Sequence, residues 1–339
     1  MSGPEHGRST SAVTMRDVAK EAGVSVATVS HVINDKAGAR IGENARQRVQ
    51  EAVIRLGYRP NALAKTLRQG SSRFIGLVAD AIATTPFAGQ IIHGAQDEAW
   101  KHGYVLLVAN TEGDAAVEEE AIAMMLEHQV QGILYSTWYH REITVPDLLH
   151  QTDSVLVDCF AVGSGLPAVV PDEEQGGRAA TEELIAAGHR RIAFINTTTD
   201  SPARTGRLEG YRSALAGANI DFDAALVFDA TPQQDGGYAS VRSVIESEAT
   251  GVFCHNDRVA MGLYDGLREH GLRIPEDVAV VGFDNQDVIA AHLRPALTTV
   301  ELPHYELGAA GIRVLLGMET VSPGHPHLIA CPPIRRAST

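Results

Sequence analysis

An all-α head followed by an α/β body of two doubly wound parallel sheets is the fold class this sequence predicts, and three observations predict it. Short amphipathic helices with clear start and stop signals crowd residues 14–57. From residue 73 onward, apolar runs of strand length alternate with amphipathic helices, and the alternation occurs twice over. Charge divides at the same place: residues 1–73 hold 12 Lys and Arg against 6 Asp and Glu, and the remainder holds 16 against 36. With 339 residues, 44% of them hydrophobic and 21% charged, the chain can build more than one core.

In the head, Thr14-Met15-Arg16-Asp17 has the Ser/Thr-x-x-acid form of a helix start. Val18, Ala19 and Ala22 then share a face, and Gly23 stops the helix. After the turn Gly23-Val24-Ser25, Ser25 caps a second helix, Val26 to Ile33, whose buried face is Val29, Val32 and Ile33. A third helix, Glu43 to Leu56, buries Ala45, Val49, Ala52, Val53 and Leu56 and ends at Gly57. Tyr58-Arg59-Pro60 forces extended chain, and Asn61 caps a segment from Ala62 to Arg68 before the loose Gln69-Gly70-Ser71-Ser72. A helix of about seven residues is too short to hold alone, so this linker is expected to order only against a partner.

In the body the strand and helix signals run Phe74 to Ala79, Phe87 to His102, Val105 to Ala109, Ala116 to Glu127, Gly132 to Tyr135 and Ser154 to Asp158. They resume with helices at Gly176 to Ala187, Leu208 to Gly217, Gly236 to Glu246, Arg258 to His270 and Tyr305 to Leu316. Interleaved are strands at Ile192 to Ile195, Leu226 to Phe228, Gly251 to Cys254 and Val278 to Gly282. The repetition of βαβ units predicts two similar halves.

Several function classes fall away. The apolar runs are far shorter than the roughly 20 residues that span a bilayer, and residues 1–13 lack the apolar core of a secretion signal, so a cytoplasmic protein is expected. Cys159, Cys254 and Cys331 lie far apart without CxxC spacing and are expected to be reduced, buried thiols. No GxSxG, HExxH, Walker loop or GxGxxG occurs and the fourteen histidines show no ligand spacing, which argues against an enzyme and against a metal or cofactor. The net charge of -14 would disfavour a nucleic-acid partner, but the basic residues are local to the head. Because charges beyond about 8 Å are largely screened at physiological salt, the head can attract phosphate while the acidic body does not.

Two short helices around a Gly-containing turn have helix-turn-helix spacing, and the second carries small or polar residues off its buried face, as entry into a major groove requires. Arg16, Lys20, Arg46, Arg48, Arg55 and Arg59 surround it. The run Met15-Arg-Asp-Val-Ala-Lys-Glu-Ala-Gly-Val-Ser-Val-Ala-Thr-Val-Ser-His-Val-Ile-Asn34, followed by Leu56-Gly-Tyr-Arg-Pro-Asn-Ala-Leu-Ala-Lys-Thr-Leu67, resembles the lactose/galactose repressor (LacI/GalR) family. The resemblance implies that Val26, Ala27 and His31 face base edges, that Ser25, Thr28, Ser30 and Asn34 lie near phosphates, and that Leu67 wedges into the minor groove. It adds Thr14, Tyr58, Asn61 and Ala64 to the DNA-binding set. Many members carry Arg where this chain has His31, and His, with one hydrogen bond per nitrogen, reads a guanine less firmly than an Arg fork.

The same resemblance extends over the body, through Gly188-His-Arg-Arg-Ile-Ala-Phe-Ile195, Arg207-Leu-Glu-Gly-Tyr211, Phe253-Cys-His-Asn-Asp257, Val280-Val-Gly-Phe-Asp-Asn285 and Arg336-Ala-Ser-Thr339. It implies a periplasmic-binding-protein type I-like sensor of two subdomains joined by three crossings, with a small-molecule effector in the cleft at the carboxyl ends of the strands. By motif position Asp80, Phe87, Asp158, Arg207, Asn256 and Asp284 are its effector contacts. On the residues alone, Asp284 reads as a loop cap and Arg207 as a surface partner of Glu209; Pro86-Phe87-Ala88 keeps only part of the family's first ligand loop. Carboxylates with an arginine fork suit a carbohydrate, and a ribose or other polyol would suit equally; a nucleoside or purine effector is the alternative. A solute-binding transport protein is the rival from another class, and it has no use for residues 14–70.

The expected domain layout is an N-terminal extension (1–13), a DNA-binding head (14–59), a hinge and linker (60–72), a first sensor subdomain (73–171 with 301–328) and a second (172–300 with 329–339). One reading helix covers half a site, so a homodimer on a palindromic double-stranded operator is expected, with no membrane partner. Family tetramers carry an added leucine heptad after the sensor, whereas Arg336-Ala-Ser-Thr closes this sequence, which favours the dimer.

Overall fold

The structure, a computed structural model, describes residues 13–33, 41–58, 72–81, 89–322 and 324–339. The expected extension and hinge, together with Asn34, Asn61, Ala64, Leu67 and Phe87, lie outside the described residues, apart from Val13 and Ser72 at their edges. The chain divides into two compact units, residues 1–72 and 73–339.

The first unit packs three helices, α1 (Met15–Ala22), α2 (Val26–Ile33) and α3 (Glu43–Leu56). Thr14 and Asp17 form a reciprocal capping box: the Asp17 amide donates to the Thr14 hydroxyl, and the Thr14 amide donates to the Asp17 carboxylate at 2.8 Å. Gly23 ends α1 in the left-handed region, φ 64°, where a side chain would be strained. Val18, Val29 and Val49, one from each helix, are fully buried and meet with Tyr58 in one small core.

In the second unit the first sheet has strand order β11-β5-β4-β3-β1-β2: β1 (Phe74–Ala79), β2 (Val105–Asn110), β3 (Ile133–Glu142), β4 (Ser154–Phe160), β5 (Ala168–Pro171) and β11 (His327–Ile329). The second has order β12-β10-β9-β8-β6-β7: β6 (Ile192–Thr197), β7 (Val227–Ala230), β8 (Gly251–Cys254), β9 (Ala279–Asp284), β10 (Thr298–Glu301) and β12 (Pro333–Ile334). All pairings are parallel except β10 with β12. The chain passes between sheets three times, after β5, β10 and β11.

Helices α4 (Gly89–Lys101), α5 (Ala115–Glu127) and α11 (His304–Leu315) accompany the first sheet. The second has α6 (Glu173–Ala186), α7 (Pro202–Gly217), α8 (Gln234–Ala239), α9 (Val241–Glu246) and α10 (Asp257–Glu269). The single helix expected over 236–246 is two, broken at Ser240, whose hydroxyl bonds back to the Gly236 carbonyl. β5 and the extension of β3 beyond Tyr135 were not expected from the pattern.

One packing contact positions the site. Gly177 of α6 and Gly210 of α7 let the two helices meet backbone to backbone: a Cβ on Gly177 would lie 2.4 Å from the Arg207 carbonyl, and one on Gly210 2.1 Å from that of Glu174. Phe194 and Phe253, stacked with centroids 4.5 Å apart, form part of the core under that helix pair.

Candidate functional site

In the head, Val26 and Ala27 are exposed and His31 half-buried on the side of α2 away from buried Val29 and Val32. Ser25 caps the helix, its hydroxyl accepting from the Thr28 amide at 3.0 Å and lying 2.9 Å from the Thr28 hydroxyl. Ser30 is half-buried on the same helix. The Tyr58 ring belongs to the head's core at 8% exposure, and the Thr14 hydroxyl is committed to Asp17. Arg55, one of the basic residues around α2, is paired with Glu21 at 2.9 Å on the surface.

The body holds a cavity of about 220 Å³ at the carboxyl ends of its strands, where the two sheets face each other. Arg207, Asn256 and Asp284, named from the sequence, all line it. Arg207 does not pair with Glu209, which holds Arg212 instead. It is buried, with Nε donating to Glu173 Oε2 at 2.8 Å, a terminal nitrogen donating to the His255 carbonyl, and the guanidinium 3.6 Å over the Phe283 ring. Asp284 Oδ1 stands 3.9 Å from the same guanidinium, and Oδ2 accepts from Gln286 at 2.8 Å. Burial alone would raise the Glu173 carboxyl, but Arg207, with His140 3.5 Å away, overrides it and holds Glu173 at about 2.

Asn256 is spent on structure: its Oδ1 caps α10 at the Val259 amide and its Nδ2 donates to the Pro232 carbonyl. Asp80 and Asp158 lie behind the cavity wall and do not line it. Asp80 accepts from the Trp138 amide at 3.0 Å and from Arg141 at 2.9 Å. Asp158 is fully buried with neither carboxyl oxygen hydrogen-bonded, and burial, then Glu173 and Asp80, push its carboxyl well above the usual range. Asp158, within β4, and Asp284, the last residue of β9, are both in the left-handed region, φ 58° and 99°, strained conformations of the kind that gather at functional sites.

Sequence reasoning missed Glu173, His255 and the run Trp138-Tyr139-His140, all of which line the cavity. The signal for the last was available: an aromatic pair and a histidine just past a strand's carboxyl end. Among the described residues no cluster of side chains could hold a metal ion, and no helix is long and apolar enough to cross a membrane. All three cysteines are buried and free.

Comparison with known proteins matches residues 14–61 to the bacterial regulatory proteins of the lacI family and residues 181–339 to a periplasmic binding protein-like domain. The HTH-type transcriptional repressor PurR of Vibrio atlanticus is 35% identical over 307 residues, covering 89% of this chain and 91% of that one. The ribose operon repressor of Haemophilus influenzae is 32% identical with the same coverage. Among solved structures, the transcriptional regulator CelR in complex with cellobiose superposes with a TM-score of 0.63 at 29% identity, covering 96% of this chain and all of the other.

Proposed function

This chain belongs to the lacI family of bacterial regulatory proteins, and from that premise we propose that it is a repressor whose hold on a palindromic operator is set by a small molecule bound in the body's cavity. The observation that carries the effector half is the buried array of Glu173, Arg207 and Asp284 lining a cavity large enough for a ring compound. Charged groups taken out of water at a strand-end cleft are costly, and a polar ligand repays that cost. The outer face of α2 and its Ser25 cap support the DNA half, with Val26, Ala27 and His31 at base edges and Ser25, Thr28 and Ser30 at phosphates; Asn34, outside the described residues, is proposed to join the phosphate set. Such a regulator works where the DNA is, in the cytoplasm, and catalyses nothing.

The effector is proposed to be a carbohydrate, the class named for the ribose operon and cellobiose-bound relatives. A purine nucleoside or base is the second reading, favoured by the Trp138 and Tyr139 rings in the cavity wall. Two copies are proposed to pair, and the exposed Val105 and Val108 on β2, the open edge of the first sheet, support this.

Operator titration tests the whole. DNA selected from a random pool should be a palindrome, and an effector should change its affinity by about 5- to 150-fold, the usual range of allosteric coupling. Asp284→Ala should abolish that response and leave affinity without effector unchanged. Selection of an asymmetric half-site, or a normal response in the variant, overturns the proposal.

A further inference from the structure

Ser136 of β3 pairs with Val157 of β4, and the next paired residue, Arg141, stands opposite Cys159, so residues 137–140 bulge out against Asp158 alone. Side chains hold this bulge in place of the ladder. Asp80, at the end of β1, takes the Trp138 amide with Oδ1 and Arg141 with Oδ2, while the Thr137 hydroxyl lies within reach of the carbonyls of Tyr139 and Asp158. Trp138, Tyr139 and His140 are thereby carried into the cavity wall, with the Trp138 and Tyr139 rings edge to face at 4.7 Å. Elsewhere the cavity wall holds two cations: Arg207 is neutralised by Glu173 with Asp284 close by, and Arg258 acts on Asp284.

We propose that this bulge is the element that selects the effector, receiving the flat apolar face of an uncharged ring compound rich in hydrogen-bond donors, with Asp80 as its positioning residue and Glu173 as the group that turns away phosphorylated or carboxylated ligands. The inference rests on the cavity being the effector site. Acceptors abound there: buried carboxylates meet donor groups of the ring, whereas an added phosphate would face Glu173 and Asp284, which already balance the two cations of the wall, Arg207 and Arg258. The aromatic faces add the apolar contact that a sugar ring or heterocycle supplies with its carbon face.

The chain has two tryptophans, Trp100 and Trp138. Trp100 is exposed on α4, so Trp100→Phe leaves Trp138 as the sole reporter at the cavity. Three pairs of probes are applied to that variant: ribose and ribose 5-phosphate, cellobiose and cellobionate, inosine and inosine monophosphate. The neutral member of at least one pair should raise the melting temperature and change Trp138 emission, and its anionic counterpart should do neither. In the otherwise wild-type chain, Trp138→Ala should weaken that probe about 10-fold, the loss of one aromatic contact. In the Trp100→Phe chain, Asp80→Asn should weaken it too and shift Trp138 emission before any ligand is added. Tyr139→Ala replaces Trp138→Ala if the latter fails to fold. A neutral probe that raises the melting temperature yet leaves Trp138 emission and the bulge variants' affinities unchanged overturns the inference and spares the cavity reading. Equal binding of an anionic counterpart overturns the role of Glu173. No response to any probe overturns both readings.

Discussion

Nε of Arg207 and Oε2 of Glu173 stand 2.8 Å apart with both side chains buried, and the backbone contact of Gly177 with α7 holds their helices at that distance. Removing one partner of such a pair strands a charge, so Glu173→Ala should cost about 3 kcal/mol of unfolding free energy. Denaturant titration at pH 7 measures it. Because the Glu173 carboxyl is held down at about 2, its contribution is fully present above its ordinary value of 4.5 and is lost as pH falls from there toward 2. The gap between wild type and variant should therefore close over that acid window.

His304 titrates in a different window. Burial, reinforced by Arg207 and opposed by Glu173, holds its imidazole down at about 4, so it folds neutral. The unfolded chain takes up a proton there first, so the stability from a neutral His304 is whole above pH 6.5 and is lost as pH falls toward 4. His304→Asn should flatten the wild-type slope in that range by up to about 1.4 kcal/mol per pH unit. Raised carboxyls such as Asp158 and Asp257 act in the opposite direction, and comparison of variant with wild type cancels them. An unchanged slope would contradict the burial argument.

In the head, His31→Ala should change which bases are selected, whereas Arg55→Ala should weaken all sequences alike and lower the salt slope by less than about one phosphate contact, since Glu21 already shares that cation. Site selection from random DNA, followed by titration at several salt concentrations, separates the two. If His31→Ala leaves the selected profile intact, α2 is not the reading helix.

Val108→Arg places a charge on the open edge of the first sheet, where Val108 is 43% exposed. If that edge joins two copies, light scattering at micromolar concentration should find the variant a monomer and the wild type a dimer, with operator affinity falling accordingly. A dimeric variant would place the interface elsewhere.

The head was legible because its periodicity and its caps agree: Val18 with Ala22, Val29 with Val32 and Val49 with Ala52 each recur at helical spacing, and Thr14, Gly23 and Gly57 mark the ends. Arg207 and Asp284 were legible as cavity residues only through the resemblance, since nothing local distinguishes Arg207 from Arg212, which does lie on the surface beside Glu209. Glu173 hid among acidic residues at a helix start, where the helix dipole already accounts for a carboxylate. The β3 bulge hid because Thr137 to His140 has no period-2 alternation, and its support comes from Asp80, more than fifty residues away in sequence.

The first sheet takes its edge strand β11 from residues 327–329, and α11, which packs on it through Leu307, Ala310 and Ile312, from residues 304–315. A chain emerging from the ribosome therefore carries β1 to β5 from residue 171 until residues 304–329 are made, with one apolar flank bare and one edge unpaired. The second sheet needs only residues 192–301 before β12 closes it. Both sheets wait for the final stretch of chain, β11 at residues 327–329 and β12 at 333–334, and the nascent protein is most open to aggregation or chaperone capture just before translation ends.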